Sequence, residues 1–211
     1  MPAVTEQEAT EQNSRLEIIG SAAAGIAHDI NNHLTLILNH LEMTDLQAAR
    51  EAAGRCCALT GALLSYCRGE SLALRPIGVA AFLQSFVATL RLPGGVRWTL
   101  ELEEPLPDIK GDALAITRVL TNLIGNACDA MGNEGSLLIR ATRRTVEIRD
   151  SGPGIPATRL KQIFEPFYST KGSRGTGLGL AIVREIMRQH GGSAMVRSEA
   201  GNGTTFILRF R

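Results

Sequence analysis

The stretch AHDINN, residues 27–32, sets an imidazole beside a carboxylate and one helical turn from an amide. Imidazole and carboxylate groups carry nucleophilic and proton-transfer chemistry near neutral pH. His33 and His40 follow within the same run. Helical phase separates the three rings. The apolar residues Leu16, Ile19, Ala23, Ile26, Ile30 and Ile37 step by threes and fours, with one seven-residue gap that His33 fills. His33 and His40 therefore lie on or beside the apolar seam and read as neutral, hydrogen-bonded structural residues. His28 falls about 200° around the helix from Ile26, on the polar face, with Asp29 and Asn32 within reach. On this segment alone, an ordinary solvated polar stripe is the better-supported reading of that face.

Three further stretches carry chemistry. TNLIGNACDAM places Asn122, Asn126 and Asp129 at i, i+4 and i+7 in an otherwise apolar helical run, so the three polar groups share one face. DSGPGIP sets Asp150 at the end of a strand-like segment, followed by Gly152 and Gly154, which permit close backbone approach to a flat ligand. RGTGLGLAIV is a glycine-rich loop opening directly into a helix, which offers backbone N–H groups and a positive dipole end to phosphate. Each has a plainer reading as surface polarity or a turn. Their succession in one order, with IFEPFYSTK between the last two, is far more specific than any member.

Behind these residues, proline is absent from about Glu11 to Cys67 and alanine and leucine dominate, interrupted at Met43-Thr44-Asp45. Two helices joined by a tight turn follow, with Asp45 as N-cap of the second. Gly69 to Pro76 reads as a linker. Beyond it the pattern predicts a helix from Val79 to Leu90, a strand at WTLEL, and a long helix from Asp112 to Met131. A hairpin of SLLIRAT and TVEIRD turning at Arg143 and Arg144, a helix from Leu178 to His190, and two closing strands, SAMVRS and TTFILRF, complete the chain. The fold class is α+β: a helical hairpin over 11–69, then an α/β sandwich over 77–211 with helices on one face of a sheet.

Composition narrows the function. Twenty-two basic and 21 acidic residues leave a net charge of +1, too little to draw nucleic acid or an anionic membrane. Cys56, Cys57, Cys67 and Cys128 sit in apolar helical stretches without zinc-like spacing, as free thiols suited to a reducing cytoplasm. The N-terminus has no signal-peptide pattern, and no run approaches the roughly 20 apolar residues of a bilayer span.

Taken together, the boxes resemble the catalytic core of two-component sensor histidine kinases. AHDINN resembles the phosphoacceptor box of the dimerisation and histidine-phosphotransfer domain. TNLIGNACDAM, DSGPGIP, IFEPFYSTK, GTGLGL and GNGTTF resemble the boxes of the GHKL-type (Bergerat) ATP-binding domain. The resemblance implies a hairpin that pairs as a four-helix bundle in a homodimer, ATP and Mg²⁺ as cofactors, and a response-regulator receiver domain as partner. It implies His28 as phosphoacceptor, Asp29 as its polarising neighbour, and Asn32 as the group that orients water for a phosphatase activity. Asn126 becomes the metal ligand, with Asn122 close to the phosphates and Asp129 nearby. Asp150 accepts from the adenine amino group beside Thr204, Gly152 and Gly154 shape the adenine side, Gly175, Gly177 and Gly179 shape the triphosphate lid, and Lys171 contacts phosphate. One departure stands out: only about 15 residues separate His28 from the turn at Met43, less than this family leads one to expect, so the bundle is stubby. Two rivals stay in view. A clamp-type ATPase of the same superfamily carries a water-activating glutamate in the asparagine helix, which TNLIGNACDAM lacks. A phosphotransfer or scaffold protein without kinase activity would show decayed glycine boxes, and these are complete.

Overall fold

The computed structural model describes residues 30–32, 34–39, 41–43, 45–49, 53, 56, 60, 72–171 and 177–211. The chain divides into two compact units, residues 71–165 with 179–211, and residues 1–70 with 166–178. In the latter, the described residues on either side of the Met43 turn are helical. Asp45 caps the second run, its Oδ1 accepting from Ala48 N at 3.0 Å. His28, Asp29, His33 and His40 lie outside the described residues, as do Cys57 and Cys67. Cys56 and Cys128 are free thiols, and burial pushes the Cys128 thiol above its usual range.

The other unit is built around one sheet. Its elements are β1 (Arg75–Ile77), α1 (Val79–Thr89), β2 (Gly95–Glu103), β3 (Ile109–Gly111), α2 (Ala113–Ala130), β4 (Glu134–Thr142), β5 (Thr145–Asp150), α3 (Gly179–Gln189), β6 (Ser193–Ser198) and β7 (Thr204–Arg209). Five strands form a sheet in the order β2-β4-β5-β7-β6, while β1 and β3 make a separate antiparallel pair. Only β2 and β4 run parallel; the remaining pairs are antiparallel. The linker expected to end at Pro76 is already strand by Arg75. Three residues are too few for a period of two to stand out in the sequence, which hid both β1 and β3.

Alternation on the central strands decides which side is core. Leu137, Ile139 and Ala141 on β4 register with Asp150, Ile148 and Val146 on β5, and these with Thr204, Phe206 and Leu208 on β7. All nine are buried. On this face α2 contributes Ile116, Val119, Leu120, Leu123, Ile124 and Ala127, and α3 contributes Ala181, Ile182, Val183, Ile186 and Met187. Each fully buried aliphatic side chain of this kind contributes about 1.5–3 kcal/mol. The period of two thus carries a carboxylate, Asp150, onto a core position in a row of hydrocarbon.

α2 begins at an N-cap made by Asp112, whose Oδ1 accepts from Leu114 N at 2.9 Å and Ala115 N at 3.0 Å. Its Oδ2 accepts from Ala73 N at 2.9 Å. Its own backbone N–H donates to His190 Nε2 at 2.9 Å, and the other ring nitrogen sits 2.7 Å from the Ile186 carbonyl. That pairing sets the tautomer of the neutral ring, with the proton on Nδ1. The fourth histidine is buried structural material joining the end of α3 to the start of α2.

Candidate nucleotide site

Asp150 ends β5 at 4% exposure. Its Oδ1 accepts from Gly152 N at 2.8 Å and from Thr204 N at 3.2 Å. Among the described residues nothing donates to Oδ2. Burial raises the carboxyl above its usual range, and the backbone N–H groups of Gly152, Thr204 and Asp150 itself only partly oppose the rise. A buried acceptor with an empty lone pair is costly unless something fills it. A ligand N–H donor, such as the exocyclic amine of a purine, fits that oxygen.

The surrounding backbone leaves no room for side chains. A Cβ on Gly152 would lie 2.8 Å from Asp150 Oδ1 and 3.5 Å from Ala130. Gly154 has φ +72°, and a Cβ there would run into the Glu199 carbonyl. Gly203, which sequence reading passed over as a site residue, would drive a Cβ into the Asp150 carbonyl. Ser198 was missed as well. Its Oγ accepts from Ile155 N at 2.8 Å, donates to the Gly203 carbonyl at 2.8 Å, and lies 3.0 Å from Thr204 Oγ1. One hydroxyl thereby ties the DSGPGIP turn to the β6–β7 turn. The register of Ser198 opposite Thr204 was its only sequence signal, visible once the closing hairpin is paired.

On α2, Asn122 and Asn126 are half-buried and Asp129 is exposed. Asn122 faces the start of α3: a Cβ on Gly179 would sit 3.3 Å from its Oδ1. Gly179 is the first residue of α3, where backbone N–H groups lack intrahelical acceptors and favour anions. The structure thus brings together Asp150, Gly152, Gly154 and Thr204 in one cradle, and Asn122 with Gly179 in another.

Phe167 N donates to the Gly177 carbonyl at 3.0 Å, and both residues have φ 66°. A Cβ on Gly177 would strike the Phe167 backbone, so only glycine closes this loop neck. Lys171 is half-buried, its backbone N–H donating to Ser169 Oγ at 3.1 Å. Gly175 lies outside the described residues. Asn32 is helical and half-buried.

Residues 111–211 match the family of histidine kinase-, DNA gyrase B-, and HSP90-like ATPases. The chain is 34% identical to the sensor kinase CckA of Brucella abortus over 97% of its own length and 26% of that protein's. It is 31% identical to the sensor histidine kinase ZraS of Escherichia coli over 96% of its own length and 47% of that protein's. It therefore spans between a quarter and half of these relatives. Among solved structures, the histidine kinase ThkA in complex with the response regulator protein TrrA superposes with TM-score 0.78 at 25% identity, covering 99% of this chain and 67% of that one. Full-length ShkA in complex with AMPPNP gives TM-score 0.70 at 24% identity over 99% of this chain and 46% of that one, a likeness of fold.

Proposed function

Because residues 111–211 belong to the histidine kinase-, gyrase B- and HSP90-like ATPases and the whole chain is homologous to sensor histidine kinases, we propose that it is a protein-histidine kinase that phosphorylates its own His28 from ATP and passes the group to an aspartate of a response regulator. The buried, half-satisfied carboxylate of Asp150 carries the nucleotide half of this reading. Its Oδ2 accepts from the adenine amino group, and Gly152 and Gly154 let the base lie against backbone. Asn122 and Gly179 at the start of α3 hold phosphate oxygens, and the resemblance gives Lys171, Gly175 and Gly177 roles toward the same triphosphate.

The described residues hold no group of three or more His, Cys, Asp or Glu able to hold a metal ion by themselves. A metal carried in by the triphosphate needs only one neutral oxygen from the chain, and the half-buried Asn126 amide on α2 fits that part. Mg²⁺, when bound, offsets charge on the phosphate oxygens. Asp129, a turn beyond Asn126, adds negative charge on the same helix.

At the acceptor, Asp29 takes a hydrogen bond from one ring nitrogen of His28 and leaves the other as nucleophile toward the γ-phosphorus. The new N–P bond forms as the bond to the ADP oxygen breaks. Asn32 orients water when the phosphoryl group is removed from the regulator. Two copies pair through the hairpin seam as a homodimer, and the reaction takes place in the cytoplasm.

The decisive experiment is incubation with γ-labelled Mg-ATP. The label is expected on His28 alone, acid-labile and alkali-stable, and His28→Ala should abolish it while ATP binding persists. Tight ATP binding with no labelled histidine would replace the kinase reading with that of a scaffold.

A further inference from the structure

At the end of β5 remote from Asp150, the β2–β3 loop, the β4–β5 turn and the end of β7 enclose an open groove of about 700 Å³. Its cationic wall is Arg143, Arg144 and Arg209, and its apolar side is Pro105, Leu106, Pro107 and Phe210. No carboxylate lines it. Of the two acidic residues that flank this stretch, Glu104 accepts from Leu106 N at 3.2 Å, and Asp108 Oδ1 lies 3.7 Å from where a Cβ on Gly78 would sit. None of the three guanidinium groups forms an ion pair among the described residues.

The groove is built on rigid parts. Phe210 is 5% exposed, its ring edge-on to His190 at a centroid distance of 6.4 Å, and its backbone N–H donates to the Arg144 carbonyl at 2.8 Å. Arg143 adds an independent observation. It sits at the first position of a two-residue hairpin turn with φ 49°, where glycine, asparagine or aspartate fits at lower cost. An arginine held there at the expense of backbone strain points to a use for its side chain.

We infer that this groove docks an acidic peptide segment of a partner protein, its carboxylates forked by Arg143, Arg144 and Arg209 and an apolar side chain seated on Leu106 between Pro105 and Pro107. Arginine is suited to the task because its planar fork meets a carboxylate with two parallel hydrogen bonds. An extended polyanion would need a basic stripe, whereas this chain carries a net charge of +1 and the site pairs charge with hydrocarbon. The groove lies a strand's length from Asp150, so occupancy is compatible with bound nucleotide.

The test uses the full chain and an array of octapeptides combining aspartate or glutamate with leucine or phenylalanine, beside lysine-for-acid and alanine-for-apolar controls. Acidic, apolar-containing peptides should bind, both control sets should lose binding, and Arg144→Ala should weaken the best peptide about tenfold or more. Arg143→Asn, which suits the left-handed backbone, should weaken it comparably while the melting temperature holds or rises and ATP-dependent labelling is unchanged. Equal binding by wild type and both variants, or failure of every acidic peptide to exceed its lysine counterpart, would overturn the proposal. Polyphosphate binding as tightly as the best peptide would reassign the groove to anions in general.

Discussion

Asp112 and Asp150 use the same local chemistry to opposite ends. Each lends one oxygen to two backbone N–H groups, Leu114 and Ala115 in one case, Gly152 and Thr204 in the other. They differ in the second oxygen and in water. Asp112 gives its Oδ2 to Ala73 N–H and stays half-exposed, so the hydrogen bond from Ala115 and then that from Ala73 hold its carboxyl below the usual range. Asp150 is buried with Oδ2 unfilled, and burial wins over the same kind of hydrogen bonds. A satisfied carboxylate holds the fold together; a buried and half-satisfied one keeps an acceptor that the proposed reading gives to a ligand N–H.

The strongest way to break that contrast is Asp150→Asn. The amide oxygen can keep both backbone bonds, but the NH₂ would turn a donor toward the donor of adenine. ATP affinity should fall about a hundredfold, as hydrogen bonds to charged groups contribute roughly 1.5–3 kcal/mol. The nucleotide-free protein should melt no lower than wild type, because a buried charge has gone. Titration calorimetry and a thermal melt read both, and a protein that loses stability but keeps its affinity would reverse the assignments.

Asp112→Ala should do the reverse. Loss of the cap and of the Ala73 tie should cost about 1–2 kcal/mol, with ATP affinity unchanged in the folded fraction. Asp112→Asn sharpens the comparison: it retains an acceptor for Leu114 and Ala115, so urea denaturation should show a smaller loss than for alanine.

A gentler probe is pH. The Asp112 contribution, from a lowered pKa, is complete above the ordinary aspartate value of 3.8 and disappears as pH falls through the lowered value. Asp150 runs the other way: its raised pKa favours the folded state below 3.8, and that benefit is lost as pH rises through the raised value. If Asp150 takes the proposed nucleotide role, binding needs the carboxylate, so affinity should weaken as pH falls toward the raised pKa, before unfolding begins. The effect should be a few-fold, about 1 kcal/mol or less at mildly acidic pH, and the Asp150→Asn protein should show no such slope. A matching slope in that variant would place the titrating group elsewhere.

Much of this contrast was legible beforehand. Alternation in TVEIRD puts Val146, Ile148 and Asp150 on one side, and the helical spacing of Asn122 and Asn126 gave their shared face. Glycines 152 and 154 announced close approach, although the obstacle behind Gly154, the Glu199 carbonyl, comes from a distant turn. What escaped notice was non-local. Ser198 is an unremarkable strand end until β6 pairs with β7, and His190 looked like a helix terminus until Asp112 met it across the fold. The sequence reading started the helix at Asp112 without giving it a capping role, and the Ala73 tie was out of reach because its partners lie far apart along the chain.

The parallel pairing of β2 with β4 has a kinetic corollary. Every other strand of the five-stranded sheet joins an antiparallel neighbour, and β4–β5 and β6–β7 close through short turns. β2 must wait for residues 104–133 to loop back, a segment that includes α2. Loop-closure entropy makes such a join slow relative to a hairpin. In a refolding time course, amides of β4 and β5 should gain protection before those of β2. The helix bearing Asn122 and Asn126 is itself the crossover, so a chain that has captured its last strand has already delivered the asparagines to the sheet.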